Sequence, residues 1–271
     1  MPDHSAGDQH GGYPTLDDAC GYVAVGADEH VKPYVHEGLD SKSMHFSILE
    51  IQSRMQILRP DVLELEYTRT MMGLLVFKPA PERIAMIGLG GGSLAKFCHR
   101  HLPHASMLAV EINPHVIALR EAFKVPPDSA RFQVIEADGA RFVADTDQRF
   151  DVLMVDAFDT HGMPPELGTS RFYDDCHDVL APDGLMVVNL HAGHPHCPVY
   201  IDRIRRSFND KLLRVNDADG SNAVIFAAKG EGLRRAASGP VRKPATLGAE
   251  PWEQLQGVFA RVASALELAG Q

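Results

Sequence analysis

The sequence predicts an α/β protein: a Rossmann-type seven-stranded, mostly parallel sheet with helices on both faces, preceded by a small N-terminal β-rich subdomain. Three observations predict it. Strand-length apolar runs alternate with helix-period segments between residues 83 and 190. A glycine run, Gly88-Leu89-Gly90-Gly91-Gly92, follows the first of these strands and opens a helix. Acidic residues stand at or just past the ends of the next three strands, where open α/β sheets bind ligands.

The chain has 271 residues, 45% of them apolar, enough to bury one sizeable core with a small appended subdomain. A formal charge of −10 removes any general attraction to nucleic acid or to an anionic membrane and favours small cationic or neutral ligands. The four cysteines, Cys20, Cys98, Cys176 and Cys197, are scattered, and the amino end has no charged stretch followed by an apolar one. Both facts point away from secretion and toward a reducing cytoplasm. No apolar run approaches the roughly 18 residues of a membrane-spanning helix.

Residues 1–19, rich in Gly, His, Asp and Pro, read as a flexible leader. Residues 20–60 hold short β-type stretches at 22–25, 32–35 and 45–51, which predicts the β-rich subdomain. The main domain, 61–230, opens with a helix over 62–77, where Leu63, Tyr67, Met71, Leu74 and Leu75 recur at helical spacing before Pro79 and Pro81 stop it. There follow strand 83–87, helix 93–101, strand 107–111, helix 114–123, strands 132–136 and 152–155, helix 170–180 and strand 185–190. Crossover helices imply parallel pairing. After helix 199–208, strands 212–215 and 223–228 flank an Asp-Gly-Ser-Asn turn signal and close the sheet as an antiparallel hairpin. Residues 231–250 read as a basic linker, and 252–268 as an amphipathic helix that docks on its own core or on another subunit.

The glycine run lets backbone approach a ligand closely and aims helix-start amides at its polar tail, although such a turn also serves as a mere tight connection. Glu111 follows Gly88 at about the 20-residue spacing at which an acid accepts from ribose hydroxyls. Asp138, with Gly139, follows the third strand, where a carboxylate accepts from an adenine amino group. Asp156 follows the fourth and faces the reacting end of the ligand. Each acid alone also fits a helix cap or turn residue. Clustered carboxylates repel a pyrophosphate and attract a sulfonium, which favours an S-adenosyl compound over a dinucleotide.

Gln52-Ser53, Tyr67, the run 84–93, Val110-Glu111-Ile112-Asn113, Asp138-Gly139, Val155-Asp156-Ala157-Phe158-Asp159, Pro165-Glu166-Leu167 and Phe172-Tyr173 together resemble the spermidine synthase-like (polyamine aminopropyltransferase) family, a branch of the Rossmann-type S-adenosylmethionine-dependent transferases. The resemblance implies an S-adenosyl donor, either S-adenosylmethionine or its decarboxylated form, transfer of an aminopropyl group to an amine acceptor, and frequently a homodimer. It implies that Gln52 touches the nucleoside, Glu111 the ribose and Asp138 the adenine. Asp156 would take the proton of the attacking amine, Asp159 would hold a polyamine cation, and Tyr67 would orient the amine. The glycines Gly88, Gly90, Gly91, Gly92 and Gly139 complete the donor site, and the segment 156–165 resembles a gate over the substrate.

The sequence departs from this family twice. The glycine run of aminopropyl-transferring members reads Gly-Gly-Gly-Asp-Gly-Gly, its Asp holding the donor's ammonium, and Gly91 stands at that place. The family's Tyr-His-Glu stands here as Tyr67-Thr68-Arg69. Methyl transfer from intact S-adenosylmethionine is therefore the alternative activity, with an acceptor pocket lined by Gln52, Tyr67, Arg69 and Tyr173. A nucleoside-binding protein without catalysis is the third reading. His191-Ala192-Gly193-His194-Pro195-His196-Cys197 combines metal-ligand side chains but lacks the separated pairs of a structural zinc site; it reads as a polar loop beside the cleft mouth, and no metal is assigned.

Overall fold

The computed structural model describes residues 30–47, 51–159 and 162–269. The leader, the strand expected at 22–25, Cys20, the end of the strand expected at 45–51 and two residues of the gate lie outside them.

The seven-stranded sheet runs in the order β6-β5-β4-β7-β8-β10-β9. It comprises β4 (Arg83–Ile87), β5 (Ser106–Glu111), β6 (Phe132–Glu136), β7 (Phe150–Val155), β8 (Leu180–His191), β9 (Leu212–Asn216) and β10 (Asn222–Ala228). Pairing is parallel from β6 through β8; β10 joins β8 and β9 antiparallel, as the sequence predicts. Side-chain alternation puts a different set of residues on each face. Val152, Met154, Val224 and Phe226 enter one core layer. Leu153, Val155, Ile225 and Ala227 enter the other. Both faces are covered, so the strands are apolar throughout.

Helices α1 (Glu66–Met71), α2 (Ser93–His101) and α8 (Ala249–Ala269) contribute to the first layer, and α5 (Ser170–Val179) and α6 (Cys197–Ser207) to the second. The helix expected over 62–77 starts later, at Glu66, and tightens into a 3-10 turn over Met72–Val76. There Gly73 packs so closely that an added Cβ would lie 3.1 Å from Val258 and Val262. The helix expected over 114–123 is one turn, α3 (Pro114–Ile117), capped by Asn113. Tight turns follow, with Leu119 N donating to Val116 O and Lys124 N to Glu121 O. They fold the chain back so that Phe123 and Val125 reach the glycine run. Two helices were missed: α4 (Gly139–Asp145), capped by Asp138, and α7 (Gly232–Ala237) within the expected linker.

The N-terminal sheet, β1 (Tyr34–Glu37), β2 (Ser41–His45) and β3 (Ser53–Gln56), is antiparallel. Its strands are offset from the expected 32–35 and 45–51 because the paired segments are mostly polar, with Met44 and Met55 as their buried hydrophobic residues.

The C-terminal helix docks on its own chain. Leu255, Val258, Phe259, Val262 and Leu266 complete the first core layer. Gln254 Oε1 accepts from Leu63 N at 3.0 Å. Arg261 bridges Glu66 and Thr70 of α1. No helix among the described residues is long and apolar enough to cross a membrane. Phe259→Ala is expected to lower stability by about 3–5 kcal/mol, the cost of emptying a closed aromatic site. Urea unfolding measures it, and a loss below about 1 kcal/mol would exclude α8 from the core.

Candidate functional site

A cleft of about 820 Å³ opens over the C-terminal ends of β4 to β7. Gln52, Tyr67, Gly88, Gly90, Glu111, Asp138, Gly139, Asp156 and Asp159 all line it, so the acids expected at three successive strand ends share one cavity.

The glycine turn is shaped by what packs against it. Gly88 has φ +89°, and a Cβ there would lie 2.2 Å from the Asp156 carbonyl oxygen. Only glycine fits. Gly88 and Gly90 line the cleft, whereas Gly91 and Gly92 lie behind them. A Cβ on Gly91 would meet Ser53 Oγ at 2.5 Å and the Phe123 ring at 2.8 Å, and one on Gly92 would meet Val125 at 2.5 Å. At both positions neighbouring chain fills the space a side chain would need.

Glu111 is 8% exposed. Its Oε2 accepts from Leu89 N and its Oε1 from Asn113 N, each at 2.9 Å, and the amides of Gly90 and Ile112 also point to it. Burial raises its pKa, and the four amides pull it back. Asp138 Oδ1 accepts from Ala140 N at 2.7 Å and Arg141 N at 3.3 Å. It therefore caps α4 while facing the cleft.

Asp156 sits between β7 and the gate segment. Asn189 Nδ2 donates to its Oδ1 at 3.0 Å, and the Tyr67 hydroxyl donates to the same carboxylate. Burial pushes the Asp156 carboxyl up to about 6, against the opposing pull of these two hydrogen bonds. The Tyr67 phenol is held well above its ordinary range by burial and by the Asp156 charge, so it stays a donor. Asn189 is 2% exposed, and its Oδ1 has no hydrogen-bond partner among the described residues. The sequence reading did not assign Asn189 to the site, although a lone amide in the apolar strand 185–190 was the available signal.

Two expected acceptor-pocket residues are elsewhere. Arg69 pairs with Glu66 and donates to Leu63 O at 2.7 Å and Glu64 O at 3.3 Å, turning away from the cleft. Tyr173 is fully buried on the inner face of α5, with its hydroxyl 3.9 Å from Met163 Sδ. Glu166, quoted for its motif and given no role, lines the cleft instead. The His191 ring stacks on Phe158 with centroids 4.3 Å apart, and His194 lies 3.6 Å from a Cβ built on Gly162. The polar loop thus backs the gate. Among the described residues no group of three or more His, Cys, Asp or Glu is placed to hold a metal ion.

A doubly wound sheet with a glycine turn and strand-end acids around one cleft defines a Rossmann-type transferase of the S-adenosyl class. A profile of the spermine/spermidine synthase domain matches residues 64–210, and the chain belongs to that family. A polyamine aminopropyltransferase of Chromobacterium violaceum is 37% identical over 187 residues, covering 69% of this chain and 72% of the relative. The eEF1A lysine and N-terminal methyltransferase of Bos taurus is 36% identical over 121 residues, 41% of this chain but 17% of that protein. The crystal structure of a probable spermidine synthase from Corynebacterium glutamicum superposes with a TM-score of 0.65 at 19% identity, covering 86% of this chain and 91% of the other.

Glu111→Ala should leave the buried amides of the glycine turn unpaired, costing about 1–3 kcal/mol. The affinity for any adenosyl ligand should fall with it, whatever that ligand's tail. Calorimetric titration with methylthioadenosine checks this, and unchanged affinity would exclude Glu111 from nucleoside binding.

Proposed function

We propose that the protein transfers an alkyl group from an S-adenosyl sulfonium donor to an amine acceptor, with Asp156 as general base. The carrying observation is Asp156 itself: a carboxyl lifted to about 6, fixed by Tyr67 and Asn189, on the wall of a cleft large enough for a nucleoside. In this reading Glu111 serves the ribose, Asp138 the adenine and Gln52 the nucleoside face, while Gly88 and Gly90 permit its approach. Asp159 and Glu166 attract a further ammonium of the acceptor. Among the described residues six acids, Glu111, Glu136, Asp138, Asp156, Asp159 and Glu166, line the cleft against one arginine, Arg141, a balance that suits a sulfonium and an amine.

The reaction is a displacement at carbon. The acceptor ammonium gives a proton to Asp156, and its freed nitrogen lone pair attacks the sulfonium-bound carbon. The carbon–sulfur bond breaks, and its electron pair stays on sulfur as a neutral thioether. Tyr67 and Asn189 keep the carboxylate aimed. Holding nitrogen and carbon in line supplies up to about 7–11 kcal/mol of the barrier reduction.

Aminopropyl transfer follows the names of the polyamine aminopropyltransferase relatives. Methyl transfer is the second reading, favoured by Gly91, where a side chain has no room, and by the likeness to a methyltransferase. The same reading holds the chain to be a cytoplasmic homodimer, which sedimentation of the purified protein tests: a monomer at working concentration would remove the dimer.

Asp156→Asn should leave donor binding within about twofold and reduce kcat by about 10²–10⁴, the usual worth of a general base. Full turnover in that variant would exclude proton abstraction by Asp156. For the unaltered protein, log(kcat/KM) should bend down with falling pH near 6, because protonation removes the base. Asn189→Leu deletes a hydrogen bond that favours the charged carboxylate. The bend should then move up by about one pH unit, taking a charged hydrogen bond as about 1.5 kcal/mol. A bend that stays in place would dissociate Asn189 from the base.

A further inference from the structure

One wall of the cleft comes from the segment that precedes β1, where His30 and Val31 border the cavity. Its shape follows from the run Val31-Lys32-Pro33. Proline fixes its own φ and biases the residue before it to extended backbone, so this stretch is stiff. Pro33 is buried and anchors one end. Asn113 ties the other, its Nδ2 donating to Val31 O at 2.8 Å. Asn113 is itself 7% exposed, with its N donating to Glu111 Oε1 and its Oδ1 accepting from His115 N, each at 2.9 Å. The segment is therefore pinned to the end of β5 beside Glu111.

That attachment puts Val31 at the nucleoside end. In the order β6-β5-β4-β7, Glu111 ends β5 and Asp138 follows β6, whereas Asp156 follows β7, two strands from β5. Two strand spacings are about 10 Å. Among the aliphatic side chains bordering the cleft near Glu111, Leu89, Val110 and Val116 are 3%, 1% and 2% exposed, while Val31 and Ile112 are 47% and 46% exposed. Apolar contact with a ligand is favourable in proportion to the area it removes from water. The three buried side chains have almost none left to give, and Val31 and Ile112 keep theirs. A nucleobase presents flat π-faces that need such cover, whereas its polar edge needs acceptors such as Asp138.

On the reading of the cleft as an adenosyl site, we infer that Val31, held in place by Asn113, packs with Ile112 against the adenine ring, which makes the segment before β1 part of the donor site.

Calorimetric titration of the full-length protein with methylthioadenosine tests the inference. Val31→Ala should weaken binding by about three- to tenfold, the worth of two methyl groups partly covered by a ligand. Val31→Leu, which keeps an aliphatic surface, should bind within about twofold of the unaltered protein. Because Val31 is half-exposed in the free protein, Val31→Ala should leave Tm within about 2 °C. Asn113→Ser keeps a hydroxyl that caps α3 and lacks the amide that donates to Val31 O. It should speed methylthioadenosine dissociation, followed by stopped flow, by about fivefold. Unchanged affinity in Val31→Ala would overturn the inference while leaving the adenosyl site standing. A loss of affinity accompanied by a fall in Tm of more than about 5 °C would overturn it as well, since Val31 would then serve the fold. Failure of the unaltered, folded protein to bind methylthioadenosine would remove the adenosyl reading itself, and the inference with it.

Discussion

The nucleoside side of the cleft depends on one buried carboxylate that gathers four backbone amides. Glu111 ends β5, and its two oxygens tie the turn after β4 to its own strand end. The turn could not otherwise satisfy those donors, because Gly88, Gly90 and Gly92 have positive φ and the chain there makes no ladder. Asn113, fixed by the same carboxylate, donates onward to Val31 O at 2.8 Å and caps α3 through His115 N. One side chain thus sets the turn, the cleft rim and the attachment of the N-terminal segment. Its burial resists ionisation while its amides favour it, so the group is costly to place and costly to remove.

The acceptor side is coupled to this turn through backbone. Asp156 N donates to Ile87 O at 2.9 Å, and the Asp156 carbonyl occupies the space a side chain at Gly88 would need. The distance from the glycine turn to Asp156 is therefore set by adjacent parallel strands rather than by flexible side chains. Tyr67 reaches Asp156 from α1, which Arg261 of α8 secures through Glu66 and Thr70. None of the residues of the C-terminal helix lines the cleft, yet that helix braces the one that carries the phenol.

The parallel strands, their ends and the glycine run were legible because both faces of the sheet are covered, leaving apolar runs that break where a strand-end acid begins. Glu111, Asp138 and Asp156 were readable as strand-end acids for the same reason. The direction of a side chain was not. Gly91 was read as part of the donor site, yet its missing Cβ faces Ser53 and Phe123, residues brought there by a distant strand and by turns after α3. Arg69 follows its i−3 neighbour Glu66 and free backbone carbonyls, which local periodicity does not report. Tyr173 lies at the core-facing position of an amphipathic helix, where burial outweighs its hydroxyl. The N-terminal strands escaped because their pairing is carried by backbone and two methionines rather than by an apolar alternation.

The proposed reaction brings two cations together, a sulfonium and an ammonium. At about 4 Å such charges repel by about 1 kcal/mol in water and about 4 kcal/mol near a protein surface. The acids of β5 to β7 and of the gate offset that repulsion, which gives a physical reason for so strong an excess of carboxylates in one cleft. Asp156 adds a second remedy. By taking the proton it converts the ammonium to a neutral amine, so the step that creates the nucleophile also removes one of the two opposed charges. A carboxyl at its ordinary low value would hold that proton poorly, whereas one raised to about 6 by burial accepts it more readily and is still largely ionised at neutral pH. Burial beside Tyr67 and Asn189 thus tunes the same group for attraction of the acceptor and for its deprotonation.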